Sequence, residues 1–275
     1  MNIINIWNKS NLYCDGHPKP FMRGWLHVCM TFITPIVGLL HFGKIIDNST
    51  IYVKIPIYGY LASQTICYGV SSLYHRVNWS EKRSFSRSAK HSRVGVRWTP
   101  DSTTNFAKNE GDFVSAQLGE VWTRSQEIFV LKLDICCIGL YEFGSYLPMY
   151  FFVLPKYSPI IAVFFGTMTF YAMLSHWYHI WVKLDPSPLR LFYVGATIIP
   201  FFPLLMTLLT WEEIGYMCAT IVLQSAGMMV FMYKKPDPFP TIFGYHEIFH
   251  MLVVAGGFTC YAGNMSIIKS NTIYS

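Results

Sequence analysis

Seven stretches of this chain are long and apolar enough to read as membrane-crossing helices, and this pattern limits the fold more than any other feature. Crossing the hydrocarbon core takes about 20 predominantly apolar residues. The stretches are 25–42, 51–74, 128–154, 158–182, 189–210, 214–233 and 242–268. Pro200 and Pro203 predict a kink in the fifth. The expected fold is therefore an all-α membrane protein, a seven-transmembrane helix bundle. Residues 25–268 would form one membrane domain, preceded by a segment at 1–24 and followed by a tail at 269–275. Composition agrees: only 13% of the residues are charged and 52% are hydrophobic, whereas soluble domains carry about 25% charged residues.

The lysines and arginines orient the bundle. Lys9, Lys19, Arg23, Lys183, Arg190, Lys234 and Lys235 fall on the N-terminal side, against Lys44, Lys156 and Lys269 on the other. The loop between the second and third stretches adds more to the first side. Cytoplasmic loops carry the excess of Lys and Arg, so the N-terminus is expected in the cytosol and the C-terminus outside. This topology accounts for the net charge of +6. No Arg-Gly or zinc-finger pattern accompanies it, so no nucleic-acid partner is expected. The loop at 76–127 is polar and basic and reads as largely disordered and cytosolic. Of seven cysteines, six lie in hydrophobic stretches and none forms a CxxC pair, which predicts packing residues rather than a disulfide framework. The N-terminal segment has no apolar h-region and predicts no cleavable signal peptide.

Ionisable groups inside a bilayer cost roughly 2.5–3.5 kcal/mol each on insertion scales, so each is a functional candidate. The candidates are His75, Asp134, Glu142, His176, His179, His246, Glu247 and His250. A lone intramembrane histidine is more often a hydrogen-bonded core residue, and His176 and His179 taken singly read that way. His246 and His250 are four apart, so both imidazoles share one helical face. The expected topology puts His75 at the cytosolic end of the second helix and Asp134 near the cytosolic start of the third. Four polar groups thus meet in one leaflet at similar depth. Three histidines with one open position form the catalytic zinc pattern, with Asp134 placed to hold the water in the fourth position. The segment HEIFH at 246–250 also matches the zincin H-E-x-x-H motif, in which Glu247 would be the general base of an intramembrane metalloprotease. The opposing reading leaves Glu247 as an ordinary solvated residue near the interface.

Four segments carry a family likeness: KPFMRGWLH at 19–27, SSLYHRVNWS at 71–80, LDICCIGLYEFGSYLP at 133–148 and PDPFPTIFGYHEIFHMLVVAG at 236–256. Together they resemble the hemolysin III / progestin and adipoQ receptor family, on the hemolysin III side. The resemblance implies seven helices with a cytosolic N-terminus and a zinc ion held by His75, His246 and His250. It implies that Asp134 holds or activates the zinc water, with Ser71 one turn from His75. It implies a lipid substrate or ligand, most concretely hydrolysis of a lipid amide such as ceramide through the zinc-bound water. A receptor or signalling protein with structural zinc and a pore-forming hemolysin are the alternatives it carries. The chain departs from the family pattern in the length of the 76–127 loop and in Glu142, where an apolar or small residue is expected.

Overall fold

A computed structural model describes residues 13, 19–77, 124–182 and 202–272 of the chain. All regular structure among them is helical: α1 (Trp25–Asp47), α2 (Ile51–Arg76), α3 (Arg124–Pro148), α4 (Pro159–Trp181), α5 (Phe202–Leu208), α6 (Trp211–Tyr233) and α7 (Tyr245–Thr272). The only extended pairing among the described residues is an isolated bridge, Phe239 to Phe243. The chain continues past Pro148 through a π-helical turn, Met149–Val153, and one last α turn, Leu154–Tyr157. Proline supplies no backbone N–H, and the ladder widens directly after it. Helices are what a lipid environment permits, because each satisfies its own backbone hydrogen bonds.

Among the described residues four helices, α1, α4, α6 and α7, are long and apolar enough to cross a membrane by length and composition. The chain is an integral, multi-pass membrane protein. In α1 the buried residues His27, Met30, Thr34, Gly38, Phe42 and Ile46 recur every three to four positions. Phe32, Ile36 and Leu40 on the other side are exposed. The polar and small groups His27, Thr34 and Gly38 thus share the inward stripe with Met30, Phe42 and Ile46, and the outward side is bulky and apolar. Of the fifth expected span only 202–210 is described, with Pro203 inside α5; the earlier part, with Pro200, lies outside the described residues. Most of the 76–127 loop lies outside them as well. Its edges are corrected: Arg76 ends α2, and 124–127 already belong to α3, with Glu127 buried. At the other end, α7 runs on to Thr272, through residues expected in the tail. The cysteines among the described residues are free.

The less apolar long helices, α2 and α3, pack extensively on each other. Their polarity is inward: Ser63, Gln64, Ser71 and His75 of α2 and Ser145 of α3 are buried. Gln64 Nε2 donates to the Tyr141 carbonyl (3.3 Å) and to Ser145 Oγ (3.1 Å). A Cβ on Gly144 would lie 1.8 Å from Ser63 Oγ, so the approach of the two backbones requires glycine there. From that contact His75 lies about 18 Å along α2 and Asp134 about 15 Å back along α3, at 1.5 Å per residue. The antiparallel pair therefore brings both to one level.

A candidate metal centre

The site is assembled by a strap at residues 19–24 that ties the end of α2 to the start of α7. Lys19, 2% exposed, donates its Nζ to the carbonyls of Tyr74 (3.3 Å), His75 (3.3 Å) and Val77 (2.5 Å). These are terminal carbonyls of α2 that lack an intrahelical partner. Phe21 N and Met22 N donate to the carbonyls of Thr241 and Ile242, both at 3.0 Å, in the turn before α7. Arg23 Nε donates to Glu247 Oε1 at 2.5 Å, and Arg23 Nη1 donates to Tyr13 Oη at 3.2 Å. Gly24 turns the chain into α1 at φ +79°, and a Cβ there would stand 2.8 Å from the Cβ of His75. Glycine is needed both for the left-handed backbone and for the close approach.

Glu247 is thereby corrected from a solvated residue to a buried one, 2% exposed. Its Oε2 accepts from Gly244 N at 2.8 Å, capping α7, while its Oε1 pairs with Arg23. Both oxygens are thus engaged in anchoring the turn between the strap and α7, whereas the general base of an H-E-x-x-H protease acts on the metal's water.

Above this anchored turn, three imidazoles converge. His75 of α2 and His246 and His250 of α7 each offer a nitrogen, and these atoms lie within 4.8 Å of one another. His75 Nε2 and His246 Nε2 are 3.3 Å apart. The ring centroids stand 4.8 Å (His75–His246), 5.2 Å (His75–His250) and 4.5 Å (His246–His250) apart. His75 and His250 are buried, and neither nitrogen of His250 has a hydrogen-bond partner among the described residues. The donor set fits a zinc ion. Zinc–nitrogen bonds of about 2.0–2.1 Å in a tetrahedron put neighbouring nitrogens about 3.3–3.4 Å apart. Two Nε2 atoms facing across 3.3 Å meet that span.

Asp134 of α3 lies alongside, its Oδ2 3.7 Å from His75 Nε2. The Ser71 hydroxyl, one turn before His75, lies within reach of the Asp134 carboxylate. His75, His246, His250, Asp134 and Ser71, the five residues assigned to a metal centre from the sequence, therefore lie near one another. Asp134 stands outside the three-nitrogen group, in the second rank.

His176 takes the bland reading: its Nε2 donates to the Ile135 carbonyl at 3.3 Å. With Trp177 Nε1 donating to the Cys136 carbonyl (2.9 Å) and Trp181 Nε1 to Cys136 Sγ (3.1 Å), α4 grips α3 immediately beyond Asp134. His179 lies farther along α4 with its ring beside Tyr178, centroids 5.7 Å apart. Glu142, two turns past Asp134, lies within electrostatic reach of Tyr141, Tyr146 and Cys260 in the interior. Sequence reasoning missed the strap residues Lys19, Arg23 and Gly24. Their signal was the KPFMRG segment itself, read there as part of a likeness and, for Lys19 and Arg23, as topological charge.

A family model described as haemolysin-III related matches residues 16–94 and 121–261. The unmatched stretch, 95–120, falls inside the long basic loop. Both matched segments contain site residues: the strap, Ser71 and His75 in the first, Asp134, His246 and His250 in the second. The chain belongs to the haemolysin III-related family.

Proposed function

We propose that this protein is a seven-helix, zinc-dependent membrane hydrolase acting on a lipid amide such as ceramide, with its N-terminus in the cytosol. The observation that carries the reading is the convergence of three inward-facing imidazoles, two of their Nε2 atoms 3.3 Å apart, beside a carboxylate 3.7 Å from one of them. His75, His246 and His250 would hold the zinc. Bound there, zinc supplies a Lewis acid that brings the pKa of a coordinated water toward about 7 and polarises a carbonyl oxygen.

Asp134 takes the proton of the attacking water and returns it to the departing amine nitrogen, so the acyl–nitrogen bond is exchanged for an acyl–oxygen bond. Ser71 orients that carboxylate. The strap excludes water from one side by filling the gap between α2 and α7. The lipid class comes from the family resemblance, and the membrane setting supports it: an acyl chain reaches the site from within the bilayer, between helices.

The test is lipid turnover by the purified protein in nanodiscs, with fatty-acid release from a short-chain ceramide followed by mass spectrometry. Release should stop on chelation and return with zinc. A zinc-loaded protein that releases no fatty acid from any lipid amide refutes the hydrolase reading.

A further inference from the structure

Beside the three convergent histidines stands a fourth that no motif singled out. His27, on the inward stripe of α1, is 5% exposed. Its ring lies edge-on to His250, centroids 4.1 Å apart at an interplanar angle of 72°. On its other side is the Tyr68 ring at 5.1 Å. It lies within electrostatic reach of His75, His246 and His250 alike. Neither of its ring nitrogens has a hydrogen-bond partner among the described residues. A neutral imidazole always carries one N–H and one lone pair, and leaving both buried and unmet is unfavourable. Something that enters the site must satisfy them.

Two roles are open to such a ring, and the geometry separates them. His27 stands outside the group whose nitrogens lie within 4.8 Å of one another, so it is not arranged as a fourth metal ligand. Asp134, also outside that group, sits against His75 and is an acceptor. His27 sits against His250 and can donate. An oxygen in the open position would then meet an acceptor from α3 and a donor from α1. We propose that His27 is a positioning residue of this centre, its ring N–H donating to the oxygen of whatever molecule occupies the metal's open position. The inference rests on the metal reading given above.

The test uses the full-length protein in detergent, loaded with cobalt(II) and titrated with acetohydroxamate, an oxygen-donor anion whose binding changes the visible cobalt spectrum. The His27→Phe variant keeps a flat ring but no N–H. It should retain one cobalt per chain and bind acetohydroxamate about tenfold or more weakly, the loss of one hydrogen bond to an anionic oxygen. His27→Gln keeps a donor and should stay within about threefold of the wild type; it also serves if the phenylalanine variant fails to fold. Equal affinity in wild type, Phe and Gln variants would show that His27 only packs. Loss of cobalt from both variants would make it a ligand. Either result overturns the proposal, as does a cobalt-loaded wild type that binds no acetohydroxamate. A wild type that takes up no cobalt would instead refute the metal reading itself.

Discussion

Replacing Glu247 by Gln tests what HEIFH is for. The carboxylate is 2% exposed and its partner Arg23 is 13% exposed, so the pair is largely removed from water. Breaking a buried pair by removing one charge costs about 3–5 kcal/mol, because the other charge stays behind. Glutamine softens the loss, since its one carbonyl oxygen still accepts from either Arg23 Nε or Gly244 N. It cannot serve both, and one unmet buried donor costs about 1–3 kcal/mol. Loss of the negative charge at the first turn of α7 adds about 0.3–1 kcal/mol. The expected destabilisation is thus about 3 kcal/mol. Arg23→Met in the same chain removes the stranded charge, so the double variant should be less damaged than the sum of the singles by about 1–3 kcal/mol. Unfolding by SDS titration in mixed micelles, with metal content measured on the same samples, reads both quantities. A Glu247→Gln protein as stable as wild type, fully metallated and inactive would refute this reasoning. It would restore Glu247 as the base of an H-E-x-x-H protease.

Replacing His75, His246 or His250 singly by Ala should sharply lower zinc content by mass spectrometry, since a three-ligand site has none to spare; full occupancy in the His246→Ala/His250→Ala double variant would remove the site. Asp134→Asn should keep most of the zinc and lose the bulk of lipid turnover, about a hundredfold or more for a general base; unchanged turnover would remove the mechanism and leave the metal. Gly24→Ala forces an alanine into the left-handed region, about 1–2 kcal/mol, and drives its Cβ against that of His75. It should lower both stability and zinc affinity, whereas Gly43→Ala, with nothing within 4 Å of the added carbon, should leave zinc affinity unchanged. An N-terminal tag should be shielded from protease in sealed, right-side-out cells, and an accessible tag would invert the proposed topology.

Much of the helical order was legible because its cause is local. Apolar runs with polar breaks place α1, α4, α6 and α7, with boundaries off by at most five residues, at the end of α1 (Asp47 against 42), and His246 and His250 need only one helical turn to share a face. The errors fall where tertiary contacts decide. The start of α3 was set too late because Arg124–Glu127 look like loop, yet Glu127 is buried in the structure. The π turn after Pro148 leaves no periodic trace. Lys19 and Arg23 served the sequence argument as topological charges; in the structure they are bound to the end of α2 and the start of α7. The same lysine supports both descriptions, because a buried ammonium on helix-terminal carbonyls also resists transfer across the membrane.

The site shows the same division. Its three ligand candidates follow from spacing and from helix direction, two quantities a sequence contains. His27 does not, because one histidine in an apolar helix has no partner in its own periodicity. It could have been placed on the interior only by noticing that His27, Met30, Thr34 and Gly38 share one stripe, and no sequence rule says that α1 meets α7 there. The polar character of α2 and α3 points the same way. Those helices are the less apolar ones because they carry Gln64, Ser71, His75, Asp134 and Glu142. Hydropathy alone therefore penalises the two helices that bring His75 and Asp134 together. A span that scores poorly, next to spans that score well, is where the chemistry of such a bundle is to be sought.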